Sequence, residues 1–227
     1  GNETKTVPLP SDVPAGATIV LGVYNRTDET TTISGISDGV NGSWTLAGNV
    51  SGPTDDAGGT GRSWLYVRSN SGAITAPASV SVTFTVGVST QMVVGWADFD
   101  GSASPLTLEG FAVVANLAAS TNVDSNTFDA TGAGCIAGIA AVNASQTTWT
   151  ADGAGESRNS DIPAGCRVGL FYEAYATGGT YGFVTTPGSS TRAMFHVAAL
   201  LEPTAAGRIW ALAGHGGIVG PPGRLAG

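Results

Sequence analysis

Residues 80–86 read VSVTFTV. Val80, Val82, Phe84 and Val86 alternate with Ser81, Thr83 and Thr85. Side chains leave a β-strand on alternate faces, so a period of two describes a strand with one buried and one wet face. Outward from this stretch, residues 18–24, 62–68, 91–97, 107–115, 136–142, 167–175 and 191–201 have the same β-branched and aromatic character. Between them lie turn-rich pieces at 37–41, 52–61, 69–72, 151–161, 177–179 and 186–190, marked by Gly, Asn, Asp and Pro. Many short strands separated by such turns predict an all-β chain: an antiparallel β-sandwich, jelly-roll-like, with less than about a tenth of its residues in helix. The one helix-compatible piece, 108–119, contains Val113 and Val114, which suit a strand equally well.

Composition bounds the function classes. The chain has 227 residues and is only 11% charged, against about 25% in an ordinary soluble domain. Its net charge is −8, and Lys5 is the only lysine among nine basic residues. The arginines are spread singly. A nucleic-acid ligand needs clustered positive charge to displace counterions from phosphate, and so does an anionic membrane surface. Neither partner is expected. No apolar run approaches the length of a spanning helix.

The two halves echo each other. IVLGVYN at 19–25, SWT at 43–45, LYV at 65–67, VTFT at 82–85 and MVVGWADFDG at 92–101 recur as IAGIAAVN at 136–143, TWT at 148–150, LFYEAY at 170–175, YGFVTT at 181–186 and AMFHVAALLEP at 193–203. Two tandem sandwiches would give this, as would one jelly roll built of two similar Greek keys. With no linker between the halves, the reading adopted is one domain over 17–203, preceded by an extended segment, 1–16, and followed by an arm, 204–227.

The succession GSWT (42–45), an acidic Gly-rich loop, SWLYVRSN (63–70), VSVTFT (80–85) and MVVGWADFDG, joined later by TWTADGAGE (148–156) and AALLEP (198–203), resembles jelly-roll modules of bacteriophage virion proteins. The resemblance covers residues 17–203. It implies a virion location and a non-enzymatic role in a tail, capsid decoration or spike. The implied partners are copies of the chain and other virion proteins, with a host surface glycan as a further one. It carries no catalytic residue over.

Chemistry-bearing residues are sparse. Asp98 and Asp100 flank Phe99 and share one face at a strand end. Ca²⁺ is the ion they would suit, but the D-x-D-x-D-G loop is missing and turn capping is the plainer role. Asp55 and Asp56 form a second, weaker pair. The six glutamates are isolated, so the paired carboxylates of a glycosidase are missing. Glu173, in phase with Phe171 and Tyr175, would fit a sugar-stacking face or simply a polar one. His196 and His215 have no Cys or carboxylate at ligand spacing. Cys135 and Cys166 each open an apolar run and read as buried free thiols, although neighbouring strands could bring them face to face. No cofactor and no catalytic residue are expected.

Two features keep a second class open, a carbohydrate-binding, lectin-like adhesin. Trp44 and Trp149 sit in polar turn contexts, where an exposed ring would stack on sugar and an inward ring would plug the sandwich end. Five N-x-S/T sequons occur, at Asn2, Asn25, Asn41, Asn49 and Asn143. They fit a secreted glycoprotein or a Ser/Thr-rich β surface.

The chain closes with PTAAGRIWALAGHGGIVGPPGRLAG from Pro203 to Gly227. Its apolar residues follow no strand or helix period and cannot form a core of their own. Ile209, Trp210, Leu212, Ile218 and Val219 are therefore expected to lie at an interface with a neighbouring subunit, with Trp210 as the anchor.

Overall fold

The computed structural model describes residues 2–9, 12–25, 30–53, 60–85, 92–99, 106–115, 123–124, 127–142, 149–152, 156–162, 166–182, 184–187, 194–201 and 218–219. Among them there is no helix, and every strand pairing is antiparallel. The first half of the chain carries β1 (Glu3–Leu9), β2 (Thr18–Asn25), β3 (Ile33–Ser37), β4 (Thr45–Pro53), β5 (Thr60–Arg68), β6 (Ala78–Phe84) and β7 (Met92–Phe99). The second carries β8 (Thr107–Ala115), β9 (Val123–Asp124), β10 (Phe128–Ala130), β11 (Gly134–Val142), β12 (Trp149–Asp152), β13 (Glu156–Ile162), β14 (Cys166–Tyr175), β15 (Gly179–Tyr181), β16 (Val184–Pro187) and β17 (Met194–Leu201). A short β18 (Ile218–Val219) follows.

The sequence echo is a topological one. The large sheet of the first half has the order β7-β2-β5-β4, and that of the second has β17-β11-β14-β13. The smaller sheets are β1-β6-β3 and β9-β16-β12. The bridge between Val13 and Ile74 in the first half corresponds to the β10–β15 pair in the second. Each strand thus has a counterpart at the same place in its sheet. The segment 1–16, set apart on sequence, contributes β1, paired with β6 along its whole length from Glu3↔Phe84 to Leu9↔Ala78.

One further strand completes each large sheet, and the two are exchanged. β8 follows the last strand of the first half but pairs with β17 of the second. β18 follows the last strand of the second half but pairs with β7 of the first.

The alternation in β6 is realised in space. Val80, Val82 and Phe84 are fully buried, Ser81 and Thr83 are half-buried, and Thr85 is exposed; Val86 lies outside the described residues. With Val7 and Leu9 of β1 they pack on Ile19, Leu21, Val23 and Trp64 of the large sheet. Full burial of such side chains is worth roughly 1.5–3 kcal/mol each.

β2 is different: all eight of its residues are buried. Ile19, Leu21 and Val23 face the first core. The opposite face meets the second half, where the Cα of Gly22 lies so close to Ile139 of β11 that a Cβ built on it would stand 2.8 Å from Ile139 Cδ1. A second close approach joins β4 to β8: a Cβ on Gly48 would lie 2.8 Å from Phe111 Cδ2 and 3.3 Å from Val113 Cγ2. A β-bulge between Leu46 and Gly48 sets this phase and turns Ala47 into the interior. β4 and β5 also contact β17. The large sheets of the two halves therefore lie against one another, and the first one has a covered surface on both faces. That is why 19–23 runs without a polar residue while β6 alternates.

The link into the second half is pinned by one hydroxyl. Thr18 Oγ1 donates to the Leu106 carbonyl at 3.2 Å and accepts from the Leu106 N–H at 3.1 Å, in a buried setting.

Candidate functional site

The expected interface residues fall in two groups. Ile209, Trp210 and Leu212 lie outside the described residues. Ile218 and Val219 form β18, whose backbone pairs with Gly95 and Val94 of β7 in the same chain. β7 is a large-sheet strand with β2 on its inner side, in register from Thr18↔Phe99 to Asn25↔Met92. Asp98 is also on β7, opposite Ile19, and Asp100 lies outside the described residues. Among the described residues, the arm thus meets the folded sheets at the outer edge of β7, where it pairs, and β18 also approaches β13 of the second half.

The corresponding edge, that of β17, is covered along its length. β8 pairs with it from Met194↔Ala115 to Leu201↔Thr107, through a bulge at Ala199/Leu200. Among the described residues, β18 pairs with two of the eight residues of β7. Backbone N–H and C=O groups at a sheet edge are the chemistry that accepts another strand.

The polar cluster around Asp38, Asn41 and Ser71 is internally satisfied. Asp38 Oδ1 accepts from the backbone N–H of Val40 at 2.9 Å and of Asn41 at 2.6 Å, and Asp38 Oδ2 accepts from Asn41 Nδ2 at 2.7 Å. Asn41 Nδ2 also reaches Ser71 Oγ at 2.9 Å, and Asn41 Oδ1 accepts from the Gly72 N–H at 2.8 Å. The Ser71 N–H donates to the Ala17 carbonyl, and the Gly16 N–H to that of Ser71. This clasp ties three turns together, and the left-handed Gly16, Gly39 and Asn70 shape the backbone around it. Among the described residues no group of three or more His, Cys, Asp and Glu is placed to hold a metal ion.

The sequons fare accordingly. The Asn41 amide is fully engaged in the clasp, Asn25 is buried, and Asn49 Oδ1 accepts from Arg62 Nη2 at 2.7 Å. A glycan on any of these three would break native contacts. Asn2 is exposed, and Asn143 lies outside the described residues.

The described aromatic rings mostly turn inward. Trp44 packs half-buried on the first core, the plug rather than the platform. Trp64 is buried, with its ring 6.4 Å from Phe84 and the Arg62 guanidinium 5.4 Å from its centroid. Tyr175 and Tyr181 stack at 4.2 Å, and Tyr181 Oη donates to the Thr177 carbonyl at 2.7 Å. Burial raises the Tyr175 phenol well above its ordinary value, with Cys135, Glu109 and Tyr181 adding to the effect. Burial likewise raises Tyr66, against the pull of Arg62. Among the described residues, Phe111, Leu46 and Val40 are the exposed large apolar ones. The first two lie on β8 and β4, the strands joined at Gly48. Trp149 opens β12.

Cys135 is a buried free thiol, and burial pushes its pKa far up. The two cysteines do lie on neighbouring strands, β11 and β14, but not opposite each other. Cys135 pairs with Ala174, eight residues along from Cys166, or roughly 27 Å at the strand rise. No disulfide can span that distance. His196 stands in β17 opposite Ile139 and Val113, and Glu173 in β14 opposite Ile136. His215, Asp55 and Asp56 lie outside the described residues.

Comparison with known proteins finds no matching family model, no matching curated protein and no matching solved structure.

Proposed function

We propose that the chain is a non-enzymatic structural subunit of a virion, in a phage tail, capsid decoration or spike, built from two jelly-roll sandwiches and acting through assembly contacts. The observation that carries the fold part of this reading is strand order. A jelly roll is an antiparallel hairpin of eight strands wrapped into two sheets, so that its order is 1-8-3-6 in one and 2-7-4-5 in the other. Taking β8, β9, β11, β12, β13, β14, β16 and β17 as strands 1 to 8, the second half reads 1-8-3-6 in β8-β17-β11-β14 and 2-7-4 in β9-β16-β12. Only strand 5, β13, departs, pairing with strand 6. The first half repeats this with strands 2 to 8, and its β4 makes the same departure. The repeat favours the tandem arrangement over a single roll of two Greek keys.

The structural role is supported by polar groups spent on closing turns and by aromatic rings spent on cores. A lectin would present those groups to a ligand. The low charge and the apolar arm fit a surface made to be covered. Light scattering on the full chain, run beside a glycan array with and without EDTA, tests the role. The expected result is a homo-oligomer of defined mass with no glycan binding. A monomer that binds glycans, or loses such binding with EDTA, would replace this reading with the adhesin.

A further inference from the structure

We propose that the outer edge of β7 is a strand-accepting site, and that in the assembled protein it takes the C-terminal arm of a second copy of the chain. The inference deepens the structural-subunit reading by naming donor and acceptor, and it draws its biological sense from that reading.

The argument begins with the exchanged strands. Among the described residues, the first half contains the counterpart of every strand of the second except one. The second half has β8 beside β17; among the described residues the equivalent place beside β7 is taken by β18, from the far end of the chain. Superposing the two patterns aligns Gly95 with Val197, since each lies opposite the central glycine of its neighbouring strand, Gly22 and Gly138. Ile218, opposite Gly95, then takes the place of Ala112, and Val219 that of Val113. Extending this register over the length of β8 makes the donor residues 213–221, AGHGGIVGP. Pro221, with no N–H to donate, ends it.

Chain length favours a second copy as the source of that donor. β8 crosses from one half to the other after the seven residues between Phe99 and Thr107. The arm has eleven residues between Leu201 and Ala213, where the donor register begins, a reach of roughly 38 Å against roughly 25 Å. The same crossing within one chain needs only the shorter connection. The surplus lets the strand that closes on its own β7 in the single chain close on a neighbour's instead. Exchange of an identical element between copies leaves every contact of the donor strand intact, so it costs little. Each copy then offers one donor and one acceptor. The exchange closes as a reciprocal dimer or runs head-to-tail into a ring or a filament.

Single-cysteine chains test this. Val94 and Val219 are register partners, so Val94→Cys and Val219→Cys chains are mixed, oxidised and run on a denaturing gel without reductant. The wild-type chain serves as the control for the two native cysteines. The expected result is a covalent dimer in the mixture, none from either variant alone, and a covalent dimer or a ladder of multimers from the double variant. A double variant that closes only within one chain, with no dimer in the mixture, overturns the proposal, as does the absence of any cross-link. Ile218→Pro provides a second readout that alters none of the strands β1 to β17: it removes the donor's N–H and should lower the mass of the assembly to that of single chains. If the assembly keeps its full mass in this variant and no dimer cross-links, the arm exchange fails while the structural-subunit role stands. If the unmodified chain is a monomer, both fail.

Discussion

Gly22 shows how a single residue without a side chain can decide where two sheets meet. A methyl group on it would stand 2.8 Å from Ile139 Cδ1 and 3.2 Å from Ile139 Cβ, so rotation of the isoleucine alone does not clear it. Gly22→Ala should destabilise the chain by about 1–3 kcal/mol through overpacking. Ile139→Ala should remove most of that extra cost, and a double-mutant cycle read by denaturant unfolding would measure the coupling. Additive costs would mean that β2 and β11 do not pack together. Thr18 offers a second case. Thr18→Val keeps the shape but strands the buried N–H and carbonyl of Leu106, a loss of about 1–3 kcal/mol. Cys135 ties stability to pH. Its folded pKa lies above its ordinary value because burial disfavours the thiolate. Above about pH 8.5 the unfolded chain gives up a proton that the native chain keeps, so stability falls as pH rises. Tyr175, raised for the same reason, adds to the fall above about pH 10. Urea midpoints measured from pH 7 to 10 should decline, and Cys135→Ala should flatten the decline between pH 8.5 and 10.

At the scale of strands, β2 and β6 represent two kinds of burial. β6 has one covered face, and its alternation is plain to read. β2 is paired on both sides and covered on both faces, so its amides should exchange only on global unfolding, while those near Glu3 in β1 exchange sooner. Comparable exchange rates in the two strands would contradict the stacking of the large sheets. The strong strands were legible because apolar demand is strong there: residues 107–115 coincide with β8, and 167–175 and 136–142 fall within one or two residues of β14 and β11. β13 and β16 were not. Their residues, ESRNSDI and VTTP, are polar or short. They form strands because neighbours offer ladder hydrogen bonds, not because their own side chains demand burial. β1 was hidden for the same reason, with only Val7 and Leu9 fully buried.

For the whole molecule, deletion of residues 205–227 should leave both sets of sheets folded, with an unchanged β signal in far-ultraviolet circular dichroism, while light scattering reports a lower mass. An unchanged mass would remove the arm from assembly. A lost β signal would instead make β18 part of the folding unit. The expected interface at Ile218 and Val219 was read from an apolar segment lacking any period, a signal that marks a need for cover without naming what supplies it. The acceptor edge on β7 had no sequence signal at all.

Alternating hydrophobicity and turn chemistry are local properties, so the sequence alone was enough to establish an all-β antiparallel chain, the inward face of β6 and the kinship of its two halves. Partner choice is not local. That β8 leaves its own half to cover β17, that β18 returns to β7, and that Cys135 and Cys166 stand far apart on paired strands depend on register and on which faces meet. Backbone hydrogen bonds are alike at every sheet edge. They carry no sequence code for their partner, and only the packing of the two large sheets through Gly22 and Gly48 selects one pairing from the many that the strands would allow.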